Sequence, residues 1–300
     1  MATKTELNNI NGIRLIKENS INENDVEHSS KIGAGFIFRG LNMVSSKLTT
    51  KMLFNMFFSP NRLDIEDRHI SYYSKAFAFK IIFEEKQIAI YEFGKKENNK
   101  SILVVNDWSS IPYHMRSIID ALVYNGYHVI SFDLPGHGFS EGNQTNLFEV
   151  SRLIEKISQR FRFDTILGYS FGGLASLIHC NNSNYAKNLI LISSPMSINY
   201  SIEEFSNKMN LSDSMKNNLI SKIEKELDFK VKDYDMTDKL YNSSKFLLIH
   251  DKNENWVKLT LNNNFVNKNE NSELYFIENQ VRSNILKSNK VKRKILSFLN

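Results

Sequence analysis

The sequence predicts an α/β protein: a mainly parallel sheet with helices on both faces and a helical cap insertion. Three observations predict it. From Ser101 onward, short β-rich runs alternate with helical patterns, the arrangement that parallel sheets require. The runs are apolar almost throughout, as strands covered on both faces are. Late in the chain, about 196–242, helical pattern replaces the alternation between two strand-like runs, which reads as an inserted cap.

Taken in order, residues 1–35 are polar and Asn-rich without sustained periodicity. They read as a loosely ordered lead-in, with room for a short helix, ahead of a body at 36–300. Met52-Leu53-Phe54 and Met56-Phe57-Phe58 make a dense apolar patch ended by Ser59-Pro60. It is far shorter than the ~20 residues that cross a bilayer. Packing against the main core is the favoured reading, and a membrane-surface anchor the other. Residues 71–93 alternate as two antiparallel strands turned at Glu84-Glu85-Lys86.

Ile102–Val105 is a strand. Ser110 caps the next helix, Pro112 stands near its first turn, and Ile111, Met115, Ile118, Ile119, Leu122 and Val123 form its apolar face, before Gly126 ends it. His128–Phe132 is a strand, and Leu147, Val150, Leu153, Ile154, Ile157 and Phe161 mark a helix. Further strands are expected at 165–167, 189–192, 246–249 and 274–277. Ile202–Met209 and Met215–Leu227 are the helices of the insertion. Val291, Ile295, Leu296 and Leu299 mark a closing helix. There is no internal repeat.

Composition narrows the function classes. Of 300 residues, 41% are hydrophobic and 12% aromatic, enough for a sizeable core. The 38 basic residues are nearly matched by 33 acidic ones, leaving +5. A nucleic-acid binder gathers such an excess into a stripe with stacking aromatics. Here the one dense cluster is Lys287, Lys290, Lys292, Arg293 and Lys294, read as a solvated helix face. A lone cysteine, Cys180, excludes an internal disulfide and suits a reducing compartment. With no secretion signal and no apolar run of spanning length, the expected location is cytoplasmic. No His or Cys pair has ligand spacing, so neither metal nor cofactor is expected. The expected partner is a small acyl substrate or ligand, with no nucleic acid. Oligomeric state is not legible.

The chemistry is concentrated at Gly168-Tyr169-Ser170-Phe171-Gly172-Gly173, a Gly-x-Ser-x-Gly pattern between a strand and a helix. Such a turn lifts the serine hydroxyl above the sheet, beside the helix N-terminus and the Phe171 N–H. Here the sequence resembles the α/β-hydrolase family, across roughly residues 70–299. Asp133-Leu134-Pro135-Gly136-His137-Gly138-Phe139-Ser140 looks like that family's turn ahead of the elbow strand. Leu248 to Val257 looks like the segment that supplies its acid, which puts Glu254 at the acidic position. The resemblance implies Ser170 as nucleophile, Phe171 and Trp108 as oxyanion donors, and cleavage of esters, thioesters or amides.

Two residues depart from the family pattern. No histidine follows His250, and Arg282 stands where the resemblance implies the catalytic one. Arginine stays protonated and is no general base. In the loop after Val105, Asp107 replaces a glycine, which brings a carboxylate towards the place where an oxyanion forms. His114 and His137 are the histidines positioned to substitute. Glu254 reads equally as a solvated loop acid, and Arg282 as its ion-pair partner or as a binder of a ligand carboxylate. Tyr169 and Cys180 read as packing residues. Three functions follow: a serine hydrolase with a non-standard triad, a degenerate member binding an acyl ligand or protein partner, and, least supported, a basic surface-binding protein.

Overall fold

In the central strands, successive side chains leave on opposite sides of the pleat and both sides are buried, so the sheet divides one hydrophobic interior into two layers. The structure is a computed structural model. It describes residues 6–10, 13–16, 38, 40–43, 45–96, 100–183, 186–239, 241, 244–252, 259–278 and 282–300. Within it β1 (Glu6–Ile10) and β2 (Ile13–Ile16) pair as an antiparallel hairpin. The other strands are β3 (Phe77–Phe83), β4 (Lys86–Phe93), β5 (Ser101–Val105), β6 (His128–Phe132), β7 (Thr165–Tyr169), β8 (Asn188–Ile192), β9 (Lys245–Asp251) and β10 (Ser272–Ile277). These eight form one sheet in the order β10-β9-β8-β7-β5-β6-β4-β3. Neighbours from β10 to β6 run parallel, while β4 is antiparallel to both β6 and β3.

Leu103, Val105, Ile130, Phe132, Leu189, Leu191, Phe246 and Leu248 face one layer. It is covered by α1 (Ser46–Phe58), α4 (Leu147–Ser158), α5 (Phe171–Ser183), α6 (Ile198–Lys208) and α7 (Asp213–Leu227). Their immediate neighbours Ile102, Val104, Val129, Ile190, Ile192, Leu247 and Ile249 face the other. That layer lies under α2 (Asp67–Tyr73), α3 (Arg116–Tyr124) and α10 (Asn289–Leu299). Between them in sequence lie α8 (Leu259–Lys268) and the short α9 (Arg282–Ile285).

The strands β3 to β10 are found where the runs predict them, with two differences near the β3–β4 hairpin. β1 and β2 fall instead within 1–35, the segment read as a loosely ordered lead-in with room for a short helix, and pair there as strands. β3 begins only at Phe77, because residues 71–73 close the helix α2. Tyr72 and Tyr73 are both buried, and a pair of buried aromatics there reads like strand alternation. The turn at Glu84 and Glu85 takes left-handed backbone at both residues, φ 43° and 63°, the form whose twist suits a two-residue hairpin. After Ser110, a 3-10 turn at Pro112–Met115 precedes α3. The helices α1, α2, α8 and α9 have no counterpart as helices in the sequence reading.

The apolar patch lies in α1, where Leu53 and Phe58 are buried and Phe57 meets Phe205 of α6 edge-on, ring centres 5.2 Å apart. All of the basic cluster but Lys287, which lies in the turn before it, is on α10, whose Val291 and Ile295 face inward; Lys287, Lys290 and Arg293 are exposed, and Lys294 pairs with Glu273. Cys180 is buried in α5, and burial pushes its thiol up to about 12, so it is an inert packing residue.

The turn after β6 is tied down from several sides. Arg62 donates to the carbonyls of Gly136, Ser140 and Gly142 at 3.2, 2.8 and 2.9 Å. Fully buried Asp133 accepts from Phe139 N–H at 2.8 Å and from the Tyr91 hydroxyl at 2.7 Å. Tyr91 in turn stacks on Tyr73, ring centres 4.3 Å apart. Burial pushes the Asp133 carboxyl up to about 7, against the lowering effect of both hydrogen bonds. Tyr91→Phe keeps the stack and removes one donor from a buried acceptor, which costs on the order of 1.5–3 kcal/mol. The midpoint of urea unfolding at neutral pH checks this, and a change below about 0.5 kcal/mol would contradict the role given to the hydroxyl.

Candidate active site

The elbow is made by packing that excludes side chains. Between β7 and α5 the chain reverses at Ser170, whose φ of 52° is left-handed backbone in a residue with a Cβ. Such a conformation costs about 1–2 kcal/mol and persists only where its surroundings hold it. They hold it here. Ser170 N–H donates to the Ile192 carbonyl of β8 at 2.9 Å, and the Ser170 carbonyl accepts from Gly173 and Leu174 at 3.0 and 3.2 Å. A Cβ on Gly173 would lie 1.8 Å from the Ser194 hydroxyl oxygen, so only glycine lets α5 start there.

Ser170 sits in the wall of a cavity of about 550 Å³, at the C-terminal edge of the parallel strands. Apolar side chains dominate its lining, with Phe57, Phe148, Phe171, Phe205, Phe229 and Met209 coming from α1, α4, α5, α6 and the segment after α7. Both α6 and α7 belong to the helical insertion between β8 and β9, and α1 comes from ahead of the sheet. The apolar patch at 52–58 is thereby drawn into the site through Met56, Phe57 and Phe58, a role that its hydropathy alone did not reveal.

Trp108 and Phe171 lie side by side, their rings 5.0 Å apart. Their amides converge on one atom. Asp107 Oδ1 accepts from Trp108 N–H at 2.8 Å and from Phe171 N–H at 3.1 Å. The carboxylate thus points inward, beside Ser170 in the same cavity wall. The loop that carries it is fixed on both sides. Asn106 Nδ2 donates to the Ser110 carbonyl at 2.9 Å, and the Ser109 hydroxyl accepts from Asn61 N–H at 3.0 Å.

Two of the anticipated residues are placed less fully. Glu254 lies outside the described residues, and Arg282 begins the short helix α9, after β10, where its backbone alone is described. Among the described residues no histidine lines the cavity, and no group of three His, Cys, Asp or Glu is arranged to hold a metal. His137 is engaged at both ring nitrogens: Nδ1–H donates to the Pro135 carbonyl at 3.0 Å, and Nε2 accepts from Ser109 N–H at 2.9 Å. Burial lowers it to about 4, so it is neutral at pH 7 with its basic nitrogen already committed. His114 Nδ1 is held by the Ser110 hydroxyl at 2.9 Å, and burial, then His69 and Arg116, lower its pKa. The elements that hold these two rings are the β6 turn and the start of the α3 region. Neither histidine is presented to the cavity.

What sequence reasoning missed is the bracing. His137 ties the turn after β6 to the loop after β5 and meets the Trp108 ring edge-on at 5.5 Å. The only sequence signal for it was its place in Gly136-His137-Gly138, at the correct end of the sheet.

Comparison with known proteins agrees with this architecture. Residues 105–287 match the family model described as alpha/beta hydrolase fold. A search of the curated proteins found no match. Among solved structures, an esterase from Pyrococcus furiosus is similar with a TM-score of 0.60 at 18% identity, covering 81% of this chain and 97% of its own. The thioesterase domain from the curacin biosynthetic pathway gives 0.55 at 13%, covering 75% and 98%. A serine hydrolase involved in carbazole degradation gives 0.56 at 16%, covering 75% and 98%. At these identities the likeness is one of fold.

The burial of His137 sets a pH dependence. Its folded pKa of about 4 lies below the ordinary 6.5, so the unfolded chain binds the proton first as pH falls. Its contribution to stability is complete above about pH 6.5 and is lost as pH drops towards 4. Asp133, raised to about 7, acts in the opposite sense over the same range. His137→Asn therefore lowers stability by about 1–3 kcal/mol at pH 7 and flattens its fall between pH 6.5 and 4. Urea midpoints across that range, for both proteins, measure the difference. An unchanged slope would contradict the bracing role.

Proposed function

Because the chain belongs to the α/β-hydrolase fold family, we propose that Ser170 is the acyl-accepting nucleophile of a hydrolase acting on esters or thioesters with an apolar acyl chain. The observation that carries this reading is the strained serine itself. Left-handed backbone at Ser170, φ 52°, is costly, and it aims a hydroxyl at an apolar cavity next to two converging amides. Strain of this kind collects at sites where chemistry needs it. The cavity's volume, about 550 Å³, and its phenyl rings suit an alkyl chain better than a sugar or a nucleotide.

In this reading the carbonyl carbon of the substrate meets Ser170 Oγ, and the amides of Phe171 and Trp108 receive the oxygen that becomes negative. Arg282, at the start of α9, stands at the position that the family resemblance assigns to its histidine. A guanidinium cannot take the hydroxyl proton. As the Oγ–carbon bond forms and the ester or thioester bond breaks, the hydroxyl proton passes, through water, to the departing alkoxide or thiolate. Such catalysis without an imidazole runs on positioning and the amide pair, worth roughly 10³–10⁴ over water in triads that have lost a member. The hydrolase is accordingly slow. Glu254 is the acid of the arrangement.

A second reading has one specific observation behind it. With Asp107 on the amide pair and both His114 and His137 engaged elsewhere, the cavity suits retention of an acyl ligand without turnover.

Fluorophosphonate labelling separates the two, alongside turnover of short acyl esters. The hydrolase reading expects slow labelling of the unmodified protein, abolished in Ser170→Ala, and at least about a hundredfold faster ester turnover in Arg282→His, which restores a base. No labelling of the unmodified protein, with activity appearing only in Arg282→His, would establish the binding reading instead.

A further inference from the structure

The Phe171 amide is the first of α5, so it has no partner within its own helix. Its acceptor, Asp107, is 64 positions earlier in the chain and arrives on a different strand's loop. The Trp108 amide, from the residue next to Asp107, ends on that same oxygen. One contact is local and explicable by the chain's own turn. The long-range one is not, and it places a negative oxygen at the positive end of the α5 dipole. A single oxygen shared by two amides from separate elements is the arrangement that a tetrahedral intermediate's oxygen adopts.

We infer that Asp107 is a tethered mimic of the substrate oxyanion: its Oδ1 occupies the Phe171 and Trp108 amides, and must leave them before a substrate carbonyl is activated. The inference rests on the reading of these amides given above. Because the carboxylate is part of the chain, it competes as an intramolecular ligand, with no cost of association. An oxygen that becomes negative while the carboxylate remains also meets a like charge at close range. Phe57, Phe148, Phe205 and Phe229 are untouched by the competition. Apolar binding and oxyanion binding are thus uncoupled in this site. A ligand's alkyl chain is accepted while its anionic head is refused.

Departure requires little of the backbone. Asn106 is held by Ser110, and Ser109 by both His137 and Asn61, so the loop stays in place on either side. Rotation of the Asp107 side chain alone clears the amides. Asp107 is therefore a specificity-determining residue that sets which head group the cavity tolerates.

Octanoate and octanol, which share an alkyl chain and differ in the charge of the head group, test the inference when titrated against the full chain. Trp108 lies in the cavity wall and its fluorescence reports binding. In Asp107→Gly, octanoate affinity is expected to rise by about tenfold or more relative to the unmodified protein. Octanol affinity is expected to stay within about twofold, since the cavity walls are unchanged. Asp107→Asn removes the charge and keeps an acceptor, so it carries the same comparison should the glycine variant fold poorly. Amide hydrogen exchange at Phe171 reports on the contact whether or not either ligand binds. It is expected to be faster by about tenfold in Asp107→Gly.

An octanoate-to-octanol preference that is the same in all three proteins would overturn the inference, as would unchanged exchange at Phe171. The hydrolase reading fails separately. If fluorophosphonate labels Ser170 in no variant while the octanoate preference shifts, Asp107 occupies the amides of a binding site. If Ser170 labels equally fast with and without Asp107 and the preference is flat, the hydrolase reading stands and the mimic does not.

Discussion

A Cβ on Gly172 would lie 2.4 Å from the Asn106 carbonyl oxygen and 2.5 Å from that of Val105. This is backbone against backbone, with no flexible atom to yield. The contact seats the start of α5 directly on the loop after β5, and three features depend on it. Ser170 is confined to its left-handed turn. The Phe171 amide points at the β5 loop rather than along its own helix. And a side chain one residue beyond Asn106 has only a short distance to reach that amide. A larger residue at Gly172 would separate the two elements and dissolve the amide pair along with the contact.

From that seat the site is built in layers of decreasing rigidity. The strands β5, β7 and β8 are buried on both faces, and nothing in their register leaves freedom for slippage. The loops above them are braced by hydrogen bonds from outside the sheet: Arg62 and Asp133 on the β6 turn, His137 between that turn and the β5 loop. Outermost are the helices α1, α6 and α7, whose phenyl and aliphatic side chains line the cavity. In the proposed reading, specificity for chain length belongs to that outer layer and chemistry to the inner one. Asp107 sits at their junction, held by inner-layer amides while facing the outer-layer cavity.

The sheet was legible in the sequence because its central parallel strands are apolar almost throughout and β3 and β4 alternate, patterns that a surface helix does not produce. The Gly-x-Ser-x-Gly turn was legible because its spacing reflects the steric exclusion just described. Several elements were not. Residues 71–73 look like strand because Tyr72 and Tyr73 are buried neighbours, whereas they close α2 against Tyr91 and Phe93. The helix α8 is Asn-rich, with Asn262, Asn263, Asn264 and Asn267 diluting its apolar face below what periodicity detects. The replacement of a glycine by Asp107 was visible, but the direction of its side chain was not. That direction depends on two amides, one from a segment far away in the chain. The engagement of His137 at both nitrogens likewise arises from tertiary contacts, and pattern alone leaves it indistinguishable from an available base.

The central claim, that Ser170 accepts an acyl group in a site lacking an imidazole base, predicts a particular chemical fate. Removal of the acyl group by water needs the same proton transfer that its arrival needs, and no leaving thiolate assists it. The acyl-enzyme should therefore accumulate. The most direct measurement is intact-mass and peptide mass spectrometry after incubation with a medium-chain acyl thioester. The account predicts one added acyl group, on the peptide bearing Ser170, persisting for many minutes. An unmodified Ser170 after prolonged exposure, or acyl groups scattered over surface lysines instead, would contradict it.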